Sequence, residues 1–281
     1  MPLVPSTQLL KDAQKQGYAV GSFNAENMEM IQAIIAAAKE TKAPVIIQTT
    51  PGTLKYAPPS VFAACVKGLA KATNIPVALH LDHGNSFELA KICAEEGYTS
   101  LMIDGSLLSF ADNVALTKRV VEMAGPIPVE AELGTVGGKE DDHEASSQYT
   151  DPQEAAAFVD QTGVSSFAVA IGTAHGPYQG VPKLDLDRLS AIGSVVNVPL
   201  VLHGTSGLPH EQVQECIRRG ITKVNYATEL RIVFTEAVKE SLLHSPQAYD
   251  PKKYLAAARQ AVQRRICELI TVCGSNGKAS L

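Results

Sequence analysis

Short apolar runs alternate with longer amphipathic runs along the whole chain. The short runs are rich in Val, Ile, Ala and Leu and show little polar alternation, which is typical of strands covered on both faces. The longer runs place apolar residues three and four positions apart, which predicts helices. This pattern predicts eight strands, nearly all separated by a helix, at residues 18–23, 44–49, 76–81, 99–103, 128–133, 166–171, 198–202 and 221–225.

Eight strand–helix units within 281 residues favour an α/β fold of the (β/α)8 TIM-barrel type over a doubly wound sheet. A dinucleotide-binding fold is disfavoured because no GxGxxG motif follows the first predicted strand. We therefore expect residues 1–281 to form a single TIM-barrel domain, with an extra N-terminal helix near 7–16 and a C-terminal helical extension over 254–272.

The composition is that of an ordinary globular protein, 45% hydrophobic and 19% charged, with a net charge of −5. No apolar run approaches the length of about 18 to 20 residues that crosses a bilayer, and the N-terminus lacks the pattern of a signal peptide. The five cysteines form no CxxC pair, which is typical of reduced thiols. We expect a cytoplasmic protein without a nucleic-acid or membrane partner, because no basic run is present.

An unusual polar pair ends the third predicted strand. The apolar run ends with Asp82 and His83 side by side, and Gly84 follows them. Adjacent side chains on a strand point to opposite faces, so they share a site only where the chain turns, and the glycine indicates a turn. For this stretch alone, a polar strand end followed by a helix cap is the alternative.

Polar residues also follow the other predicted strands, where a TIM barrel places its active site. His83, His175 and His203 each follow a strand and precede a glycine. Three histidines with one open position are the ligand set of a catalytic zinc ion, Zn2+. The alternative is that one or two of them only form hydrogen bonds in the barrel mouth. Asp104 and Glu132 are candidates to orient these ligands, to form a second metal position, or to pair with lysines.

Two loops with the features of a phosphate site follow the seventh and eighth predicted strands. In the first loop, glycines let backbone N–H groups approach an anion and hydroxyls donate, and a helix begins behind each of the two loops. TIM barrels commonly hold a phosphate in these two loops, although the first could be only a turn. The candidate residues are Gly204, Thr205, Ser206, Asn225, Tyr226, Ala227 and Thr228.

The polar, glycine-rich segment 134–149 is predicted to be a long loop that closes over the site as a lid. A solvated acidic loop is the alternative. Together with the metal and phosphate sites, such a lid suggests cleavage next to a ketone, because zinc polarises the carbonyl and stabilises the enediolate. Asp82 would take the hydroxyl proton, and a loop carboxylate, best assigned to Glu140, would deliver a proton to carbon. Schiff-base chemistry is disfavoured because neither Lys183 nor Lys223 stands at a strand end.

Eight segments, in order along nearly the whole chain, resemble the class II, zinc-dependent ketose-bisphosphate aldolases. They are GSFNAENMEM, HLDHGNSFE, MIDGS, VEAELGTVGGKEDD, AIGTAHGPYQG, LVLHGTSGLP, KVNYATEL and DPKKYL. The resemblance implies a TIM barrel that reversibly cleaves a ketose 1,6-bisphosphate into dihydroxyacetone phosphate and glyceraldehyde 3-phosphate. It places the zinc ligands on His83, His175 and His203, and the two proton-transfer groups on Asp82 and Glu140.

The resemblance implies further partners and contacts. It places phosphate contacts on Gly176 and on residues 204–206 and 225–228, and a substrate contact on Asn24. It also implies a monovalent cation (Na+ or K+) near the phosphate, sugar phosphates as small-molecule partners, and a homo-oligomer, either a dimer or a tetramer.

The identity of the sugar depends on a few positions. NYATEL at 225–230 resembles the tagatose branch of the family, whereas fructose enzymes more often carry Asp or Asn where Ala227 stands. Residues 84–87 and Arg259 resemble the fructose branch, in which such an arginine can reach the second phosphate, either within one subunit or across a dimer interface. Tyr226 matches neither branch well. We expect tagatose 1,6-bisphosphate as the substrate, with fructose 1,6-bisphosphate as the alternative. A hydroxy-keto-acid phosphate, a non-cleaving epimerase or isomerase, and a non-catalytic sugar-phosphate-binding subunit stay open as lesser alternatives.

Overall fold

The computed structural model describes residues 3–140, 143–176, 178, 180 and 182–279, with residues 139, 140 and 143–145 described by their backbone alone. Eight parallel strands close into a barrel, which confirms the predicted fold class. The barrel strands are β1 (Val20–Asn24), β2 (Val45–Thr49), β3 (Val77–Gly84), β4 (Ser100–Ile103), β5 (Val129–Leu133), β8 (Ser166–Val169), β10 (Leu200–Leu202) and β11 (Ile221–Tyr226). Three short strands form a separate sheet, and they are β6 (Gly137–Glu140), β7 (His143–Ala145) and β9 (Ala174–His175).

Helices surround the barrel and also precede and follow it. They are α1 (Ser6–Gln16), α2 (Met28–Thr41), α3 (Pro51–Tyr56), α4 (Pro59–Ala70), α5 (Phe87–Glu95), α6 (Phe110–Ala124), α7 (Pro152–Thr162), α8 (Leu186–Val195), α9 (His210–Arg218), α10 (Thr228–His244) and α11 (Pro251–Val272). Ser86 caps α5, because its side chain accepts a hydrogen bond from the backbone N–H of Leu89. Across the described part of the chain, no helix combines the length and apolar character needed to cross a bilayer.

The inside of this barrel has an apolar layer at its N-terminal end. There, Val20, Ile46 and Ala78 pack against Leu10 and Ala13 of α1. Because side chains alternate along a strand, the next inward position lies two residues further on. TIM barrels usually fill these layers with branched apolar side chains. In this chain the middle layer is buried and largely polar, and its polar members include Ser22, Gln48, His80, Ser100, Glu130 and Lys223.

The predicted long loop at 134–149 is wrong, because this segment forms a hairpin. β6 pairs antiparallel with β7 and parallel with β9, where Gly138 lies opposite His175. Gly138 has a φ of +91°, and a Cβ atom there would lie 2.2 Å from the carbonyl oxygen of His175. The local pattern did not predict this because the second partner of β6 is more than thirty residues away along the chain. Glu140 ends β6, but its side chain, with Asp141 and Asp142, lies outside the described residues.

Candidate active site

The turn that we predicted at Gly84 occurs one residue earlier. His83 itself has a left-handed φ of +46°, and the pairing of β3 with β4 shifts between Leu81 and Gly84. Gly84 is needed for a different reason, since a Cβ atom there would lie 2.3 Å from the carbonyl oxygen of Met102. This bulge allows Asp82 and His83, although adjacent, to face the same site.

The three predicted histidines converge at the mouth of the barrel. Nε2 of His83 lies 2.8 Å from Nδ1 of His203, and the rings of His83 and His175 have centroids 5.0 Å apart. One ring nitrogen from each histidine lies within 4.8 Å of the others. Neutral imidazole is a good zinc ligand, and three such nitrogens around one point are the donor set of an open catalytic zinc site. The residues present therefore fit a zinc ion.

In two of these rings, the nitrogen that points away from the other histidines contacts a carboxylate. Oδ2 of Asp104 lies 2.7 Å from Nδ1 of His83, and Oε1 of Glu130 lies 3.0 Å from Nε2 of His203. Burial by itself would raise the pKa of Asp104, but the hydrogen bond and charge of His83 hold it well below its usual range. Burial likewise opposes ionisation of Glu130, yet the Lys223 ammonium group, with the hydrogen bond from His203, holds its pKa well below normal. Asp104 thus contacts a candidate ligand as the first of its three predicted alternatives requires, whereas Glu130 was not among the predicted site residues.

Glu132 faces the same group of histidines. Its Oε2 is buried, has no hydrogen-bond partner among the described residues, and lies 3.8 Å from Nδ1 of His203. Glu132 also forms a second candidate metal group with His83 and Asp104. Burial raises the pKa of Glu132 to about 8, and the charge of Asp104 adds to this shift. An unpartnered buried oxygen at this point is a second observation that fits a cation between these side chains.

Three amide side chains surround the carboxylate of Asp82. Nε2 of Gln48 donates to Oδ2 at 2.9 Å, Nδ2 of Asn225 donates to Oδ1 at 3.0 Å, and Nδ2 of Asn24 lies 3.4 Å from Oδ2. Asp82 is 1% exposed, so these contacts fix its orientation. Sequence reasoning missed Gln48, although an amide inside an otherwise apolar strand was a signal for it.

A small cleft beside Asp82 gathers most of the predicted phosphate residues. Gly204 has a φ of +64°, and a Cβ atom there would lie 2.7 Å from the backbone of Ala174, so glycine lets the two loops touch. The hydroxyl of Tyr178 joins the same loops, because it accepts from the N–H of Ala174 and donates to the carbonyl of Gly204. The small cleft is lined by Asn24, Asp82, Ala174, His175, Gly176, Gly204, Thr205, Ser206, Asn225, Ala227, Thr228 and Arg231.

Two predicted contact residues have side chains outside this cleft. Tyr226 points to the outer face of β11, where its ring stacks on Phe23 with centroids 5.7 Å apart. This follows from strand alternation, since Asn225 points inward. Arg259 lies in α11, where its guanidinium group donates to Gln32 of α2 at 2.7 Å. It lines neither the small cleft nor the cavity described below.

Arg231 is a residue of the small cleft that sequence reasoning missed. It follows Thr228 by three positions in the first turns of α10, so the two side chains share one face of the helix. Nε of Arg231 donates to Glu26 at 2.6 Å, and Glu26 also accepts from the hydroxyl of Thr53 at 2.6 Å. These bonds hold the guanidinium group of Arg231 beside the loop that we predicted to bind phosphate.

A second, larger cavity of about 290 Å³ borders the histidines. Because His175 lines both this large cavity and the small cleft, the histidine group lies between them. The wall of the large cavity combines apolar side chains, including Leu107 and Leu108, with Asn85 and Lys55. No sequence pattern predicted this cavity, because its wall is assembled from segments that follow five different barrel strands.

Convergent histidines, a buried carboxylate and a cleft rich in N–H and hydroxyl groups lie at the C-terminal ends of the barrel strands, where TIM-barrel enzymes hold their active sites. The comparison with known families identifies the class of enzyme. The model of the family "Fructose-bisphosphate aldolase class-II" matches residues 4–278, and the chain belongs to that family of carbon–carbon lyases.

Solved structures with similar folds are also aldolases. The YdjI aldolase from Escherichia coli K12 is 38% identical, with 99% of this chain and 100% of that chain covered and a TM-score of 0.89. A protein from Coccidioides immitis assigned as a fructose-1,6-bisphosphate aldolase is 30% identical, with 97% and 96% of the two chains covered and a TM-score of 0.90. The fructose-bisphosphate aldolase of Campylobacter jejuni is 23% identical, with 99% and 97% covered and a TM-score of 0.84, and supports the fold alone.

Proposed function

We propose that this class II aldolase reversibly cleaves a ketose 1,6-bisphosphate, with tagatose 1,6-bisphosphate preferred over fructose 1,6-bisphosphate. The products would be dihydroxyacetone phosphate and glyceraldehyde 3-phosphate. The observation that carries the proposal is the position of Asp82, which lines the small cleft together with His175 and the loop at Gly204. The presence of Ala227 in the same cleft supports tagatose, given the resemblance to that branch.

We further propose that His83, His175 and His203 hold a zinc ion, since their nitrogens converge and an unpartnered carboxylate oxygen of Glu132 faces them. When bound, zinc would polarise the substrate ketone and stabilise the enediolate that remains after cleavage. A monovalent cation near the phosphate and a dimeric or tetrameric assembly stay predictions from the family resemblance.

The side chains of this chain would then bind the substrate and move its protons. Gly204 and Ser206 would bind the phosphate of the ketone half through N–H and hydroxyl groups, with the Arg231 cation beside them. Asp82 is held by three amides and would accept the proton of the hydroxyl whose carbon becomes the aldehyde. Glu140 is proposed to exchange the proton on the enediolate carbon, and its side chain lies outside the described residues.

The large cavity is the proposed position of the aldehyde half. A substrate chain with its first phosphate in the small cleft would cross the histidine group and continue into this cavity, because His175 borders both. Lys55 is the one lysine or arginine among the described residues that line the cavity, and the other basic side chains there are the candidate metal ligands His83 and His175. Lys55 is therefore the candidate to bind the second phosphate.

Side-by-side cleavage of the two sugars tests the substrate. For the zinc-loaded protein we expect kcat/KM for tagatose 1,6-bisphosphate to exceed that for fructose 1,6-bisphosphate about tenfold, which corresponds to about 1.4 kcal/mol in the transition state. The Ala227→Asp variant should lower this ratio, because it introduces the residue typical of the fructose branch. A ratio below one in the wild type would contradict the tagatose assignment. If neither sugar is cleaved while the C–H proton of dihydroxyacetone phosphate still exchanges with solvent, another ketose 1-phosphate is the substrate.

Replacing Lys55 with Met tests the placement of the aldehyde half. In condensation reactions, Lys55→Met should raise the KM for glyceraldehyde 3-phosphate at least tenfold, because a hydrogen bond to a charged group contributes about 1.5–3 kcal/mol. The KM for unphosphorylated glyceraldehyde should stay unchanged, and Lys55→Arg should keep most of the affinity for the phosphorylated aldehyde. Equal effects on both aldehydes would place the second phosphate elsewhere.

A further inference from the structure

An ion pair lies inside the barrel, below the residues that would touch the substrate. Nζ of Lys223 is 2.9 Å from Oε2 and 3.0 Å from Oε1 of Glu130. The side chains of Lys223 and Glu130 are 1% and 2% exposed, so neither charge reaches solvent. Neither residue lines the small cleft or the large cavity, so the proposed reaction does not use them directly.

Glu130 connects this pair to a predicted metal ligand. Its Oε1 lies 3.0 Å from Nε2 of His203, and the other ring nitrogen, Nδ1, lies 2.8 Å from Nε2 of His83. Nδ2 of Asn225 also lies 3.2 Å from Nε2 of His203, but that amide already donates to Asp82 at 3.0 Å. The carboxylate of Glu130 lies nearer to Nε2 and is ionised, so it can only accept a hydrogen bond, and this assigns the proton of His203 to Nε2. Nδ1 is then the unprotonated nitrogen, and it faces the point where the histidines converge.

The remaining contacts of Lys223 show that the pair is anchored. Its third acceptor is Nε2 of His80 at 3.3 Å, and Nδ1 of His80 lies 2.7 Å from the hydroxyl of Ser100. That hydroxyl lies 2.8 Å from the hydroxyl of Ser6 in α1. A single assignment of donors and acceptors satisfies all of these hydrogen bonds. Lys223 donates its three ammonium protons to the two oxygens of Glu130 and to Nε2 of His80. Nδ1 of His80 then donates to Ser100, and the hydroxyl of Ser100 donates to Ser6. The orientation of Glu130 is therefore fixed from the opposite end of the barrel.

Stability alone gives a weak reason for charges at this position. Replacing a buried ion pair with apolar side chains of similar volume is often neutral or stabilising, whereas removing one partner is strongly destabilising. The outer nitrogen of a metal-binding histidine, in contrast, is usually held by a carboxylate or carbonyl that fixes the tautomer.

We propose that Glu130 and Lys223 are positioning residues of the metal centre: Glu130 holds His203 with Nδ1 free to bind the metal, and Lys223 holds Glu130. This inference rests on the zinc site of the proposed function. It assigns a role to the barrel lysine other than Schiff-base chemistry, since its ammonium group is occupied by Glu130 and His80.

A pair of double variants isolates the hydrogen bond to His203. Glu130→Gln with Lys223→Met, and Glu130→Leu with Lys223→Met, both remove the two charges together, so neither leaves a buried charge unpaired. Only the glutamine variant keeps a carbonyl oxygen that can accept from Nε2 of His203. Both variants should therefore fold, with thermal unfolding midpoints close to each other.

The measurement is zinc affinity, by competition with a chromophoric chelator at one fixed pH. We expect the leucine variant to bind zinc about 10- to 100-fold more weakly than the glutamine variant, the usual effect of losing such a partner. The visible absorption spectrum of bound Co2+ should change in the leucine variant only. Equal zinc affinities in the two folded variants would overturn the inference alone, whereas a wild type that binds no zinc would overturn both the inference and the proposed metal site.

A measurement on the wild type keeps the test decisive if the leucine variant does not fold. The 15N chemical shifts of His203 in the metal-free protein report which ring nitrogen carries the proton. Protonated Nε2 with unprotonated Nδ1 supports the proposal, and the reverse tautomer would overturn it.

Discussion

Cleavage of the sugar bisphosphate is expected to fall by at least about 10³-fold when the zinc-loaded enzyme is stripped with EDTA. The physical reason is the negative charge that develops on the ketone oxygen as the carbon–carbon bond breaks. Among the described residues that line the small cleft, Arg231 is the one permanent cation, and its Nε is engaged by Glu26. A fall of 10³ corresponds to about 4 kcal/mol of transition-state stabilisation, a reasonable contribution from a Lewis acid.

The preference of the three histidines for particular metal ions provides a control for this experiment. Stoichiometric Zn2+ should restore activity, whereas Mg2+ should not, because imidazole nitrogens suit zinc and oxygen ligands suit magnesium. The far-UV circular dichroism spectrum should change little, because the barrel strands and the helices around them are held by an extensive apolar core. Cleavage that survives complete removal of the metal would contradict the assignment of His83, His175 and His203 as ligands of a catalytic ion.

Replacing Asp82 with Asn is expected to lower kcat for cleavage by about 10³-fold, within the usual range for the loss of a general base. The amide has nearly the same shape as the carboxylate, but it cannot take the hydroxyl proton. Zinc affinity should stay within a few-fold of the wild type, because Asp82 belongs to neither candidate metal group.

The exchange reaction separates the two proton transfers. Asp82→Asn should leave exchange of the dihydroxyacetone phosphate C–H proton largely intact, because that step is assigned to Glu140. Asp160→Asn, at an exposed position of α7, is the matched control and should leave all three measurements unchanged. A kcat for cleavage within tenfold of the wild type would show that Asp82 is not the base.

Much of the fold could be predicted because its signals are local. The apolar runs and helical spacings predicted all eight barrel strands, since a strand buried on both faces leaves a continuous apolar run. Residues that follow such strands must then meet at one end of the barrel. This is why His83, His175 and His203 could be grouped before any distance was known.

Signals that depend on distant partners were missed. Nothing near Gly138 indicates that it pairs with the segment at His175, so a strand was mistaken for a loop. Asp104 could be named as one candidate to orient a ligand because it stands at a strand end, whereas Glu130 lies one layer deeper in its strand. Its role depends on Lys223, which reaches it across the barrel from β11.

The sequence by itself therefore determined the architecture, the family resemblance and the set of polar residues at the strand ends, because each depends on spacing along the chain. Only the tertiary structure decided how those residues are used. In the folded chain, Gln48 forms a hydrogen bond with Asp82, and Glu130 forms one with His203. The chain turns at His83, and the side chain of Tyr226 points out of the barrel. These outcomes depend on strand register and on the closure of the barrel, which bring together side chains far apart in sequence.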